Sequence, residues 1–234
     1  MLLFRRIFVF IIMAIIMIST AAAQSTTGRE QTVEETYLRE VIELMIIRET
    51  ARSITREQKL ISLDYIGDAI SRGNTNDEIR QTLDYLSSEG TQIRTIENGR
   101  LVNNFPDVRR QAARYLGVIG TEEARQSLLS ILQFENEPTV LQEAIKSLGD
   151  IGTNINNDSI NQIVTVMRRF NTLNPDDVMA IATIYAFEKI ARRNGGLNSA
   201  EAIQLLISIS EGRYITPVRE LARQLLAELR TYGR

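Results

Sequence analysis

Two stretches of this sequence read almost alike, DVRRQAARYLGVIG at residues 107–120 and TVLQEAIKSLGDIG at residues 139–152. Aligned 32 residues apart, they share six of fourteen residues: a valine, an alanine, a leucine, an isoleucine and two glycines. Average composition does not produce agreement of that extent. Self-similarity at a fixed spacing is the signature of repeat proteins, in which each unit packs against the next. The chain is therefore predicted to contain stacked repeats.

Two weaker copies follow, beginning at Asp177 and Pro217, so the predicted spacings between copies are 32, 38 and 40 residues. In both of them the second residue is again a valine, Val178 or Val218. Segments with helical periodicity separate the copies, at about 122–134, 158–170 and 199–211. Two helices per unit at these spacings predict a helical solenoid over residues 106–234.

Each strong copy has an apolar face and an end signal. Val108, Ala112 and Leu116 recur every four residues, so they share one side of a helix. Gly120 and Gly152 follow the last apolar residues of their copies, a position typical of helix C-termini. Because one helix pair cannot bury its apolar stripe alone, neighbouring pairs are expected to cover each other in one continuous core.

Residues 32–90 are predicted to form N-terminal helical repeats, with three further helices. Their approximate ranges are 33–52, 55–72 and 77–88. Thr32 and Glu35 have the spacing of a capping box, in which two side chains satisfy free amides of a helix start. Thr55 and Gln58 repeat that spacing. Asn76 is predicted to cap the third helix.

Residues 91–105 interrupt the helical pattern. Two short β-prone runs flank Asn98 and Gly99, and an Asn-Gly pair in that setting is typical of a tight hairpin turn. We therefore predict a hairpin or an ordered loop inserted between helices. Long loops in compact domains are often binding elements, but an inert surface excursion fits the same pattern.

Residues 1–23 have the three parts of a secretory signal peptide. Arg5 and Arg6 form a basic start, residues 7–18 are an unbroken apolar run, and small residues follow. This order predicts export, and therefore a periplasmic or secreted protein.

Cleavage is predicted between Ala23 and Gln24, after a small-residue A-x-A exit. Residues 24–31 are then a short polar tether before the first helix. The alternative is an uncleaved N-terminal membrane anchor, because the apolar segment reaches the short limit of a span, roughly 17 residues. Contact with a membrane is expected only through this segment.

The composition narrows the function classes. The chain has no cysteine, histidine or tryptophan, which excludes disulfide staples, cysteine nucleophiles and histidine-based triads or zinc sites. Paired acids at 122–123 and 176–177 are expected to cap helix starts rather than to transfer protons. Without residues 1–23 the formal charge falls from −2 to −4, so attraction to nucleic acid is not expected. We predict no enzyme activity, metal or cofactor.

The strong copies resemble the HEAT repeat family, particularly its short bacterial form that also occurs in phycobilisome lyase-like proteins. The second helix of that family typically reads V-R-x-x-A-x-x-x-L-G-x-I-G. Residues 108–120 match it throughout, and residues 140–152 differ only in having Leu141 for the arginine. The resemblance implies an all-α fold, a right-handed αα-superhelix, with helices such as 107–119 on its concave side. It also implies protein binding.

Stacked repeats are expected to align the outward residues of successive helices into a ridge of mixed charge. Mixed signs favour a protein partner with complementary charges over a phosphate backbone. A solvated face with ordinary ion pairs explains the same residues. Tyr65, Tyr115 and Tyr185 are predicted either as anchors of that surface or as core residues. The candidate protein-binding residues are Arg109, Arg110, Arg114, Gln142, Lys146, Arg219 and Arg223, with Glu143, Met179 and Glu220 beside them.

Repeats joined to an export signal predict a scaffold or adaptor that binds a protein partner of the bacterial cell envelope. Two alternatives stay open. One is a structural subunit of a periplasmic assembly. The other is an enzyme, related either to lyases or to nucleic-acid enzymes, on a similar superhelix.

Overall fold

The structure, a computed structural model, describes residues 32–170 and 175–232. The predicted signal peptide, its cleavage position and the tether lie outside these ranges. By internal packing the chain divides into two units, residues 1–41 and 42–234. The described part of the first unit is Thr32 with the opening turns of the first helix, and every other described element belongs to the second unit.

The described residues are almost entirely helical, which confirms the predicted all-α fold. A 3₁₀ turn at Ile155–Asn157 leads into the seventh helix. In chain order the elements are α1 (Val33–Arg52), α2 (Arg56–Ser71), α3 (Asp77–Ser88), β1 (Ile96–Glu97), β2 (Arg100–Leu101), α4 (Pro106–Ile119), α5 (Glu122–Phe134), α6 (Pro138–Ile151), α7 (Asp158–Phe170), α8 (Asp177–Asn194), α9 (Ala200–Glu211) and α10 (Thr216–Tyr232).

Side chains cap two of the three helix starts that were predicted between residues 32 and 90. Thr32 and Glu35 bond reciprocally, each backbone amide donating to the other side chain at 3.3 and 3.2 Å. Asn76 Oδ1 accepts an amide hydrogen bond of 2.9 Å from the first turn of α3. The prediction for Thr55 is wrong, because its side chain makes no cap bond. Its hydroxyl lies 3.3 Å from the hydroxyl of Ser53 instead.

Glycines end α4 and α6 as predicted. Gly120 and Gly152 have φ angles of 67° and 72°, in the left-handed region that favours glycine. Each of their amides donates to a carbonyl four residues back, at 3.1 and 2.9 Å. This closes the last helical turn and redirects the chain.

The second unit is built as two layers of helices. We name α2, α4, α6, α8 and α10 layer A, and α3, α5, α7 and α9 layer B. Within each layer every helix packs against the next one of the same layer. Most chain-adjacent helices from α3 onward pack across the layers, and the apolar sides of both layers enclose one continuous core. The predicted side-by-side packing of α4 and α6 is thus confirmed.

Burial corrects the predicted spacing of the third copy. Met179 is 1% exposed, whereas Val178, which was aligned with the valine of the motif, is 58% exposed. Met179 therefore occupies the place of Val140, 39 residues earlier, and Val218 follows after another 39. The spacings are 32, 39 and 39 residues. Val178 matches the valine of the motif by chance, because the buried residues of α8 begin one position later, at Met179.

Helix α2 is a further copy of the layer A helix that the sequence alignment did not find. Its buried residues precede those of α4 by 50 positions. The equivalent buried pairs are Lys59 and Arg109, Ser62 and Ala112, Leu63 and Ala113, and Ile66 and Leu116. At this offset only two residues of the helices are identical, Tyr65 with Tyr115 and Gly67 with Gly117. The inserted hairpin lengthens the spacing, so the repeat is hidden in the sequence.

The predicted hairpin forms between α3 and α4. Strands β1 and β2 pair antiparallel, with Asn98 and Gly99 at the turn. Both turn residues have positive φ angles, 51° and 76°, as a type I′ turn requires. Asn103 closes the base, because its side-chain amide bonds to backbone groups of the opposite side at 2.8 and 2.9 Å.

Two glycines within helices allow layer A helices to approach closely. A Cβ added at Gly117 would lie 2.6 Å from the Cβ of Ser147. One added at Gly149 would lie 2.5 Å from the Cα of Ala186. No real side chain tolerates these distances. The first glycine of the L-G-x-I-G pattern therefore permits close helix packing, and the second ends the helix.

We predict that Gly149→Ala destabilises the protein, by about 1–3 kcal/mol, because the new methyl group meets the backbone of α8. Alanine is the better helix former by about 1 kcal/mol. A glycine without this contact would therefore be stabilised by the same change. Urea unfolding followed by circular dichroism measures the sign, and a stabilised variant would contradict close packing at this position.

A buried arginine joins the helices of layer B. Arg125 of α5 donates to Glu122 of its own helix at 2.5 Å and to Asp158 of α7 at 2.7 Å. The hydrogen bonds from Arg125 lower the pKa of Glu122 to about 2. Glu122 was expected to cap α5, but Thr121 accepts the capping bond from Ala124 N at 3.2 Å. Glu122 instead neutralises a cation that is 1% exposed.

This pair predicts a pH dependence in the acid range. Because the folded pKa of Glu122 is lowered, its stabilising contribution is present above the unfolded value of 4.5 and is lost as pH falls towards about 2. The carboxylate is partly exposed, so we expect less than about 1 kcal/mol. Glu122→Gln should flatten the unfolding free energy between about pH 5 and 2. Glu123→Gln is the matched control, and an equal effect there would contradict the assignment.

Candidate functional site

The position of Arg109 corrects one prediction for the binding surface. This side chain is 2% exposed and not on the outward face. Its guanidinium donates to the carboxylate of Glu135 at 2.6 Å, to the carbonyl of Glu89 at 3.2 Å and to Asn104 at 2.9 Å. The residue belongs to the buried stripe because Ala112 and Leu116 follow it at helical spacings of three and seven. Arg109 therefore holds repeats together.

The same motif position is buried in the next two copies as well. Leu141 replaces the arginine in α6 and Ala180 replaces it in α8, and both are buried. Met179, at the preceding valine position of α8, is buried as well. The prediction that Met179 lies on the outward ridge is therefore wrong. In α2 the equivalent residue is Lys59, whose ammonium lies 2.6 Å from the buried carboxylate of Glu89. The cation of the V-R pattern thus serves an ion pair between helices.

The corrected register places other outward residues in two rows across layer A. One row follows the position of Arg110, and the second follows the position of Arg114, one turn further along the helices. From α4 to α8 the first row holds Arg110, Gln142 and Ile181, and the second holds Arg114, Lys146 and Tyr185. Each row changes from basic to apolar along the array.

A groove lies on the outer face of layer A where these rows meet. Its volume is about 400 Å³, and helices α4, α6 and α8 all contribute to it. A size of this order suits a few side chains of a bound molecule. The lining residues are Arg110, Thr139, Gln142, Glu143, Lys146, Val178, Ile181, Ala182, Tyr185, Ala186 and Lys189.

Three of the predicted binding residues meet in this groove: Arg110, Gln142 and Lys146. Arg114 lies one turn from Arg110 and is exposed. Neither arginine has an ion-pair partner among the described residues, whereas Lys146 lies 3.0 Å from Glu143 on the same helix. The α4 end of the groove therefore carries two arginines that form no ion pair within 4 Å with a described carboxylate.

Gln142 has a structural contact inside the groove. Its side-chain amide donates to Asp176 at 3.1 Å. Asp176 also accepts the amides of Val178 and Met179 at 2.9 and 3.0 Å, and so caps α8 as predicted for this acid. The bond fixes the start of α8 against α6, which positions one wall of the groove.

The sequence analysis predicted one residue of the apolar wall of the groove, Tyr185, as either a surface anchor or a core residue, and it missed Val178 and Ile181. Val178, Ile181 and Tyr185 follow one another on α8 at helical spacings of three and four. Val178 is 58% and Tyr185 is 44% exposed. The opposite side of α8 is buried and apolar too, so residues 178–187 of this helix are apolar nearly all round. The sequence did carry a signal for this wall, because residues 178–187 have a second apolar stripe beside the one that the core needs.

The remaining predicted residues lie elsewhere. Tyr115 is half-buried and its hydroxyl accepts a hydrogen bond from Gln111 at 3.2 Å, while Tyr65 of α2 is partly exposed. Arg219 and Arg223 lie on α10 and bond locally, to Thr216 and to Glu220, both at 3.1 Å. None of them lines the groove.

A metal site is not evident in the part of the chain that the structure describes. Within it, no three acidic side chains converge in a way that would hold a metal ion. Nor does any helix of residues 32–170 and 175–232 have both the length and the apolar character to cross a bilayer.

Comparison with known families agrees with the two-layer geometry. The family of HEAT repeats matches residues 99–188, from the hairpin into α8. The chain therefore contains HEAT repeats. The match includes α4, α6 and α8 as far as residue 188, so all of the groove lining except Lys189 lies within the matched HEAT repeats.

Among solved structures, this HEAT-repeat protein is similar to a chain in the complex of CpcE and CpcF of phycocyanin lyase from Nostoc sp. PCC7120. The TM-score is 0.54 at 16% sequence identity, over 89% of this chain and 70% of that chain. At this identity the likeness shows the fold alone. None of the curated proteins matches the chain in sequence.

We predict that Arg109→Leu destabilises the protein by about 3–5 kcal/mol, because it leaves the buried carboxylate of Glu135 without its cation. Arg109→Leu combined with Glu135→Gln should recover much of the loss, since the remaining buried group is neutral. Arg110→Leu, at the neighbouring exposed position, should stay within about 0.5 kcal/mol of the parent. Chemical unfolding of the four proteins measures this. Equal losses at both arginines would contradict the structural role of Arg109.

Proposed function

We propose that this HEAT-repeat protein is an exported scaffold that holds a protein partner of the cell envelope on the outer face of layer A. The observation that supports the proposal is the groove, which combines an exposed apolar wall with charged groups. Apolar side chains on a solvent-exposed surface are often covered by a partner. The interface cores of protein complexes have this composition, an apolar centre with polar groups at the rim.

The chemistry of the lining favours binding over catalysis. Its one carboxylate, Glu143, is paired with Lys146, and the lining contains no second acid that would complete an acid and base pair. The walls are packed helices, which offer a preformed surface and lower the entropy cost of association.

Two further observations support the proposed cellular location and the class of partner. The signal-like residues 1–23 support export to the periplasm or the cell exterior. The similar solved structure is a complex of two proteins, CpcE and CpcF, which supports protein partners in general. The fold itself hosts unrelated functions, so the groove carries the proposal.

Photo-crosslinking in living cells tests the proposal. We expect p-benzoylphenylalanine in place of Tyr185 to give crosslinked species of defined mass, identified by mass spectrometry. The same residue in place of Phe134 is the matched control, because Phe134 is a similarly exposed aromatic residue on layer B. Arg110→Glu with Lys146→Glu should reduce the yield from position 185 at least fivefold.

Equal crosslinks from both positions, or none from position 185, would contradict a binding role for the groove. Fractionation of the same cells tests export separately. The protein should be in the periplasm or the medium, with Gln24 as its first residue. A full-length chain recovered from the cytoplasm would refute the exported role and leave the groove result intact.

A further inference from the structure

We propose that the groove binds an acidic segment of its partner, in which one aliphatic or aromatic side chain lies close to carboxylates. The apolar side chain contacts Val178, Ile181 and Tyr185 on α8. The carboxylates bind Arg110 and Arg114 on α4. This inference rests on the proposed function and specifies the chemistry of the partner.

The charge of the groove determines the sign of the charge that the bound segment should carry. The groove lining contains three cations, Arg110, Lys146 and Lys189, and one anion, Glu143. The whole chain has a net charge of −2, so this positive region opposes the overall sign. Complementary charge raises the rate of association and selects the partner.

Local pairing determines which cations are available. Lys146 is paired with Glu143, and Lys189 is paired with Asp150. Arg110 and Arg114 have no acidic partner among the described residues, although α4 holds both side chains on its outward face. Guanidinium groups bind carboxylates through two parallel hydrogen bonds, which ammonium groups do not form. We therefore place the carboxylates of the partner at the α4 end.

The array sets the distance between the two parts of the segment. Neighbouring helices pack about 8–10 Å apart, so the axes of α4 and α8 are separated by roughly 16–20 Å across α6. The arginine side chains cover part of this distance. An extended chain rises about 3.3 Å per residue, so we expect about three to five residues between the apolar residue and the carboxylates.

A polyanion fits this surface less well than an acidic peptide. Between the arginines and the apolar wall, the cation of α6, Lys146, is already paired with Glu143, so a continuous phosphate chain finds no unpaired cation there. The apolar wall on α8 likewise has no counterpart in a phosphate backbone. A peptide places carboxylates at one end and an apolar side chain at the other, and so avoids both conflicts.

A peptide library tests the inference. The protein is expressed from its full coding sequence with a C-terminal tag, purified, and used to select from displayed random 12-residue peptides. We expect selected peptides to combine Asp or Glu with an apolar residue about three to five positions away. Labelled copies of the best peptides should bind at least tenfold more weakly to Arg110→Glu with Arg114→Glu, and to Tyr185→Ala.

Arg94→Glu with Arg100→Glu is the matched control, because both hairpin arginines are exposed and lie outside the groove. This variant should bind the peptides within twofold of the parent. Circular dichroism checks that every variant is folded. Selection of basic or uncharged peptides, or equal losses in the groove and hairpin variants, would overturn the inference. Tighter binding of a 20-base single-stranded DNA would overturn it too.

The two proposals fail in different ways. If crosslinking at position 185 identifies a partner whose contacting segment has no acidic residues, the scaffold role stands and the acidic segment is refuted. If acidic peptides bind the groove selectively but cells give no crosslink there, the chemistry of the groove stands and the scaffold role is refuted.

Discussion

Each helix of layer A depends on its neighbours to cover the apolar side that it cannot cover alone. Neighbouring helices of layer A approach closely because two glycines have no side chain at the points where the helices meet. Gly117 contacts Ser147, and Gly149 contacts the backbone at Ala186. Helix separation is therefore set largely by backbone contact, which is stiffer than contact between long side chains. A fixed separation keeps the outward rows of side chains in register, and the groove exists because of that register.

Local signals were enough to predict the helix bounds, the glycine ends and the hairpin. What the sequence did not reveal depends on contacts between distant residues. The partner of Arg109 is Glu135, 26 positions away, and no local pattern pairs them. A charged side chain at a motif position therefore looked exposed. The missing cap at Thr55 has a local cause instead. The hydroxyl of Thr55 lies beside the hydroxyl of Ser53 and does not bond to the helix start.

The groove could be predicted only in part, for a related reason. Its charged side was visible as outward residues of two strong repeats, among them Arg110 and Lys146. Its apolar side lies on α8, where the motif was aligned one residue too early at Val178. With that alignment the valine belongs to the core, and the wall that it forms with Tyr185 does not appear. Only burial on the opposite side of α8 shows which residue begins the buried stripe.

The hairpin between α3 and α4 has a firm base and a free tip. Asn103 bonds to the backbone of Ile93 at the base, and the carbonyl of Glu89 accepts a hydrogen bond from Arg109, which also holds the repeats. At the tip, no atom beyond the chain neighbours of Gly99 lies within 4 Å of the position where that glycine would carry a Cβ. Loop closure costs little more free energy as a loop lengthens. Evolution can therefore exchange or extend this tip without altering the stack, and related chains are free to differ most at this junction.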